Sequence, residues 1–280
     1  IPAVEQIDCT HTSRTLTVNT TADTGHSVTY LWNNNSDQST LTITEDGIYN
    51  ITVTDNNNFC SVTGTQSVIK DITMPSVQIP AVNQIDCKTT QQTLLAQTTA
   101  AHSVTYLWND NSDKNSLVVT EGDVYSIQIT DTQNHCTAST SISVTKDITS
   151  PTVSIPAVGQ IDCKVLSQTL IAQTVAIHEV EYKWDDNSGN SQLVVTNGDT
   201  YNVVITDKQN FCTASASVSV TKDIVKPTVN IPVVDQIDCM VSNQTLIAQT
   251  SAAHNVSYKW NDYSTANSLV VTNGAIYSVV

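Results

Sequence analysis

The sequence predicts an all-β chain built as a tandem array of antiparallel two-sheet sandwiches. Three observations predict it: a long unit that repeats along the chain, strict apolar–polar alternation inside each unit, and no sustained helical stripe. The segment IPAVEQIDC (1–9) returns as IPAVNQIDC (79–87), IPAVGQIDC (155–163) and IPVVDQIDC (231–239). Trp32, Trp108, Trp184 and Trp260 fall 76 residues apart, as do Tyr49, Tyr125, Tyr201 and Tyr277. The first unit carries two extra residues around Asp23 to Gly25, which marks an exposed turn between packed segments. Helix-pair and leucine-rich solenoids repeat every 20 to 50 residues or so, whereas this longer period suits a unit that closes its own core. The expected domains are 1–73, 74–149, 150–225 and a truncated 226–280, strung as beads.

Within the second unit the expected strands lie at about 80–86, 92–98, 103–109, 115–120, 124–131 and 136–146. Val104, Tyr106 and Trp108 alternate with Thr105 and Leu107, and the later units carry Lys183 and Lys259 at the Leu107 position, which fixes the wet face. Tyr125, Ile127 and Ile129 alternate with Ser126, Gln128 and Thr130. Turn residues separate these runs: NDNSDKN after Trp108, EGD before Tyr125 and DTQNH before Cys136. Each Trp is read as a core plug. Each Tyr, just after a Gly-containing turn, resembles the tyrosine corner of immunoglobulin-like sandwiches. Simple core filling is enough for both aromatics.

Seven cysteines stand at 9, 60, 87, 136, 163, 212 and 239, one early and one late in each complete unit. The matched spacing suggests that Cys9 pairs with Cys60, Cys87 with Cys136 and Cys163 with Cys212. Cys239 is left for a partner beyond the end of the chain. Closing loops of about 50 residues would add on the order of 4 kcal/mol per domain, useful to so small a core. Without a CxxC or an adjacent His, zinc is the weaker reading. Disulfides place the chain in an oxidising setting, extracellular or on a cell surface. The opening residues lack a signal peptide's basic start and apolar stretch, so any export signal was removed or lies upstream. The chain stops in mid-strand, as a window cut from a longer array would. Prolines at 75, 151 and 227, each followed by another five residues later, stiffen the joints.

Composition excludes other classes. Acidic residues outnumber basic ones 26 to 11, giving a net charge of −15, which disfavours nucleic acid and anionic membranes as partners. No apolar run is long enough to span a bilayer, so membrane insertion is not expected. His26, His102, His178 and His254 recur just before a central strand, but no Ser or Cys nucleophile has a matching partner, so they read as turn histidines and no enzyme is expected. If there is a cofactor it is calcium. Asp55, Asp131 and Asp207 end a strand in each complete unit, and Asp71, Asp147 and Asp223 sit at the joints, where hard-cation oxygens could gather. The same residues are also ordinary turn formers. Asn19, Asn34, Asn50, Asn243 and Asn255 begin Asn-x-Ser/Thr sequons, candidate glycan sites.

Taken together, QIDC, the YxW strand with its Asx-rich turn, SLVVTxGxxYxVxITD and CTASxSVxVTKD resemble the tandem immunoglobulin-like (PKD-like) repeats of giant Bacteroidota-type surface adhesins and extracellular fibre proteins. The resemblance covers the whole chain. It implies secretion and the shaft of a fibre, stalk or surface adhesin, and it transfers no catalytic residue. The expected partners are further copies of the repeat, in the same or neighbouring chains, together with surface glycans. The alternative is a carbohydrate- or cell-binding module that acts by avidity through the loops after each Trp.

Overall fold

Threonine, valine and isoleucine dominate runs in which every second residue is apolar, and such runs bury one face of a pleated strand. The computed structural model describes all residues Ile1–Val280 and contains only strands, turns and bends. No helix is long and apolar enough to cross a membrane. In the first repeat the strands are β1 (Arg14–Thr17), β2 (Val28–Trp32), β3 (Thr40–Ile43), β4 (Gly47–Asp55) and β5 (Ser61–Val68). The second holds β6 (Ser76–Gln78), β7 (Gln92–Leu95), β8 (Gln97–Thr99), β9 (Val104–Trp108), β10 (Ser116–Val119), β11 (Asp123–Asp131) and β12 (Thr137–Val144). The third runs through β13 (Thr152–Ser154), β14 (Gln168–Ile171), β15 (Gln173–Val175), β16 (Val180–Trp184), β17 (Gln192–Val195), β18 (Asp199–Asp207) and β19 (Thr213–Val220). The fourth has β20 (Val229–Asn230), β21 (Gln244–Ile247), β22 (Gln249–Thr250) and β23 (Ser268–Val271).

All strand pairings are antiparallel, and the chain is a tandem array of immunoglobulin-like β-sandwiches. In the second repeat β9, β11 and β12 form one sheet, with Trp108 opposite Ile127 and Ile129 opposite Ala138. β7 pairs with β10, and the short β6 pairs with β8. Between the sheets lie Ile85, Leu94, Trp108, Leu117, Ile127, Ile129 and Val144, all buried. Ile7, Leu16, Trp32, Leu41, Ile51 and Val68 make the corresponding core of the first repeat. Each Trp is only 1% exposed, and its indole N–H donates to a backbone carbonyl six residues on, at Gln38, Lys114, Asn190 and Ala266, which closes the Asx-rich turn. Tyr49, Tyr125, Tyr201 and Tyr277 each donate to the carbonyl four residues back, the corner expected of them.

Two strand assignments differ from expectation. Residues 80–86 form no strand; the first strand of the second repeat is the earlier β6, and only Ile85 bridges onward, parallel to Lys146. The predicted strand 92–98 is two strands, β7 and β8, separated at the buried Ala96. The chain changes sheets there, and alternation alone does not reveal a strand that swaps partners while keeping its inward face.

The chain divides into two compact units. The first comprises Ile1–Pro151 with Ala176–Val180 and Thr206–Thr213. It holds the first two repeats and the loop around Cys212. The second comprises Thr152–Val175, Glu181–Ile205 and Ala214–Val280. Its buried residues include Ile161, Leu170, Trp184, Leu193, Trp260 and Leu269.

Candidate functional site

Each QIDC segment ends in a tight turn built by its own Asp. Asp8 accepts the amides of Thr10 (2.9 Å) and His11 (2.6 Å), and Asp86 those of Lys88 (2.9 Å) and Thr89 (2.6 Å). Just before it, Ile7 and Ile85 hydrogen-bond the residues that follow the last strand of the same repeat, Ile69 and Thr145. The cysteine at the turn therefore sits at the far end of that last strand, next to the joint with the following repeat.

The late cysteines sit at the other end. Cys136 and Cys212 follow the loops Thr132–His135 and Lys208–Phe211, immediately before β12 and β19. Here Asn134 and Asn210 fold the loop by accepting the amides of Cys136 and Cys212 through their side-chain oxygens, both at 3.0 Å. His135 and Phe211, at the tip, have φ of 56° and 57°, a left-handed conformation uncommon for bulky side chains.

This placement decides the pairing. The disulfides are Cys9–Cys136 and Cys87–Cys212, with Cα atoms 5.0 Å apart in each. The expected pairs Cys9–Cys60, Cys87–Cys136 and Cys163–Cys212 do not form; Cys60, Cys163 and Cys239 are free and exposed. The reason is length. The eight residues of β12 separate Cys136 from the end where Cys87 lies, roughly 26 Å at ~3.3 Å per residue. A disulfide needs Cα atoms within about 7 Å. The start turn of one repeat reaches instead the late loop of the next, so each bond locks two successive repeats.

Polar contacts surround each lock. Cys9 N–H donates to the Asn134 carbonyl (3.1 Å) and Cys87 N–H to that of Asn210 (3.0 Å). The Asn134 amide donates to the Asp71 carboxylate (3.0 Å) and the Thr73 carbonyl (2.9 Å) in the linker. Asn210 repeats the contact with the Thr149 carbonyl at 2.9 Å. Both asparagine side chains are fully buried. At the first lock His135 Nδ1 lies 3.1 Å from Asp8, and at the second Lys88 lies over the Phe211 ring, 5.1 Å from its centroid. Burial pushes the Asp8 carboxyl up, but the Thr10 hydroxyl, the His11 and Thr10 amides and the His135 ring outweigh it and hold the group well below the ordinary carboxylate range.

His102 and His178, with the candidate calcium carboxylates Asp71, Asp131, Asp147 and Asp207, lie at these same joints. His102 Nδ1 is 3.0 Å from Asp131 and its Nε2 3.7 Å from Asp71. His178 relates in the same way to Asp207 (2.9 Å) and Asp147 (3.7 Å). Burial pushes Asp131 and Asp207 up; backbone amides (Gln133 and Asn134, Gln209 and Asn210) and the histidine rings override it and lower both. Asp71 and Asp147 are lowered first by the amides of Thr73 and Thr149, then by the two asparagines. His26 meets Asp55 at 2.7 Å, and His254 lies 3.8 Å from Asp223. The carboxylates thus face hydrogen-bond donors, and no three acidic, His or Cys side chains converge as metal ligands do. At His102 and His178 the second ring nitrogen faces another carboxylate, so each ring lies between two acidic side chains. The five sequon asparagines, Asn19, Asn34, Asn50, Asn243 and Asn255, are all exposed.

Sequence reasoning set Cys136 at the start of a strand and missed Asn134 and Asn210. The signal was present as the recurring Asn, aromatic or His, Cys triplet at 58–60, 134–136 and 210–212.

No protein-family model and no curated protein matches the chain. Solved multidomain structures, tandem immunoglobulin domains among them, are similar to it at low identity. Sidekick-1 immunoglobulin domains 1–5 are 11% identical, covering 95% of this chain and 68% of that one, with a TM-score of 0.32. The titin I-band fragment I67–I69 is 12% identical over 75% of this chain and 93% of its own, TM-score 0.39. Three N-terminal domains of the bacteriophage RB49 outer capsid protein Hoc are 14% identical over 76% and 94%, TM-score 0.30.

Proposed function

We propose that this chain is a non-catalytic stretch of the shaft of an extracellular fibre, stalk or cell-surface adhesin, of the kind that giant Bacteroidota-type surface proteins build from immunoglobulin-like repeats. The observation that carries the reading is the staggered disulfide. A bond from the first repeat to the second, and another from the second to the third, covalently bridges the linker, which is where an array of separate sandwiches would otherwise bend or be pulled apart. Asparagine and histidine contacts repeat at both locks, so the joint is a built part of the unit. Disulfides of this kind persist in oxidising surroundings, which supports a place outside the cell. The net charge of −15 would keep such shafts apart in solution. Glycans on the exposed sequons would add to that.

The test is electron microscopy of the native material with and without reductant. Beaded fibres that become markedly more bent on reduction are expected. Dispersed molecules that bind a glycan array through the loops after Trp32, Trp108 and Trp184 would overturn the shaft reading in favour of a binding module.

A further inference from the structure

In each complete sandwich the turn before the longest strand meets a lysine just past the last strand. Lys70 donates to Glu45 and Lys146 to Glu121, both at 2.8 Å. The third repeat keeps the lysine but has an amide in place of the acid. Lys222 Nζ donates to Asn197 Oδ1 at 3.1 Å and to the Thr196 carbonyl at 2.8 Å. The residue after Asn197 is a glycine, and packing demands it. A Cβ at Gly198 would stand 2.8 Å from Lys222 Cβ and 2.9 Å from the Lys222 backbone nitrogen. The turn is therefore seated directly against the segment that carries the lysine.

Asn followed by Gly is a reactive pair, because no side chain crowds the approach of the glycine nitrogen to the amide carbon. The Gly198 amide makes no hydrogen bond, so no acceptor holds that nitrogen back. Lys222 aims a cationic donor at the oxygen on which negative charge develops when the amide carbon is attacked. A second donor lies on the neighbouring carbonyl: the Tyr201 hydroxyl bonds the Asn197 backbone oxygen at 3.0 Å.

We propose that Asn197 is a self-modifying site, at which the Gly198 nitrogen displaces the side-chain amide and the resulting carboxylate pairs with Lys222, as Glu45 and Glu121 pair with their lysines. The chemistry balances with water alone. The Gly198 nitrogen loses its proton and bonds Asn197 Cγ, the Cγ–Nδ2 bond breaks, and the amide nitrogen leaves as ammonia. Water then opens the cyclic imide. Attack at Cγ restores the normal backbone with an aspartate at 197, whereas attack at the backbone carbonyl carbon gives isoaspartate. Lys222 polarises the first carbonyl and Tyr201 the second, and a hydrogen bond from a cation is roughly twice as strong as a neutral one. The lysine therefore steers opening to the normal aspartate, which keeps the register of β18. The inference stands on this turn and not on the shaft reading.

The test stores the freshly purified chain in warm neutral buffer and follows residue 197 by peptide mass mapping, with fragmentation that separates aspartate from isoaspartate. Steady conversion to aspartate is expected, with isoaspartate the minor product. Lys222→Ala should slow conversion about tenfold, because one charged donor is lost. It should also make isoaspartate the major product, because Tyr201 remains. Lys222→Arg keeps a cationic donor and should retain the preference for aspartate. Asn197 and Lys222 are exposed, so folding is not at stake, and circular dichroism verifies this. An Asn197 that keeps its amide while the urea-unfolded chain converts would overturn the proposal. So would isoaspartate as the main product of the unaltered chain, or the same rate and products in Lys222→Ala. A peptide crosslinked between Asn197 and Lys222 would overturn it too, since the lysine would then be the nucleophile and not the donor. None of these results would touch the shaft reading, which rests on the disulfide locks.

Discussion

Pulling the chain from its two ends reads the staggered disulfides directly. Cys9–Cys136 spans 127 residues and Cys87–Cys212 spans 125, and the two loops overlap. The shortest covalent route from Cys9 to Cys212 crosses to Cys136, runs back about 50 residues to Cys87 and crosses again. Without disulfides the route is about 200 residues, so reduction releases about 150, roughly 500 Å at ~3.5 Å per residue. In the double variant Cys9→Ser/Cys136→Ser only Cys87–Cys212 remains, and the route grows by about 30 residues, roughly 100 Å. Had each cysteine paired within its own repeat, the same variant would gain about 100 residues, roughly 350 Å. Single-molecule force spectroscopy, with handles at both ends and a phosphine reductant added midway, separates these lengths. A gain near 350 Å in the double variant would refute the staggered arrangement.

Other expectations follow from the same joints and cores. Asn134→Ala leaves the Cys136 amide without its acceptor and removes one of the donors to the Asp71 carboxylate, and should cost about 1–3 kcal/mol by denaturant titration. Trp184→Ala empties the centre of the third sandwich and should cost about 3–5 kcal/mol by the same measurement. Asp8, Asp71, Asp131, Asp147 and Asp207 are all held below their ordinary values. Their contribution is whole above the unfolded carboxyl value of about 3.9 and disappears as pH falls through the folded values. Melting temperatures should therefore hold from neutrality to about pH 5 and drop below about pH 4, with a shallower drop in Asp8→Asn. Calcium at Asp71 and Asp131 would have to displace His102. Melts with calcium and with chelator are expected to coincide at neutral pH, and a clear rise with calcium would return those carboxylates to the metal.

The sandwich was legible because its signals are local. Alternation around Trp108 and Tyr125, and the turn residues between strands, require only neighbours in sequence. The lock was not, because periodicity is blind to which copy a residue meets. Cys136 stands one period before Cys212, so an early cysteine finds an equally spaced late partner in its own repeat and in the next. Only the length of β12, which puts Cys87 and Cys136 at opposite ends, breaks the tie. Alternation likewise continues through Ala96 although the strand changes sheets there. The histidines showed as turn residues, but their bracing of two carboxylates depends on a linker that folds back against the loop.

Overlap also governs what happens when the backbone is cut. A protease that cleaves any single peptide bond between Cys9 and Cys212 leaves both pieces tied through at least one sulfur bridge. Bridges confined to single sandwiches would leave every linker a point of severance. A nicked molecule of this design keeps its continuity until a second event, reductive or proteolytic, frees the fragments.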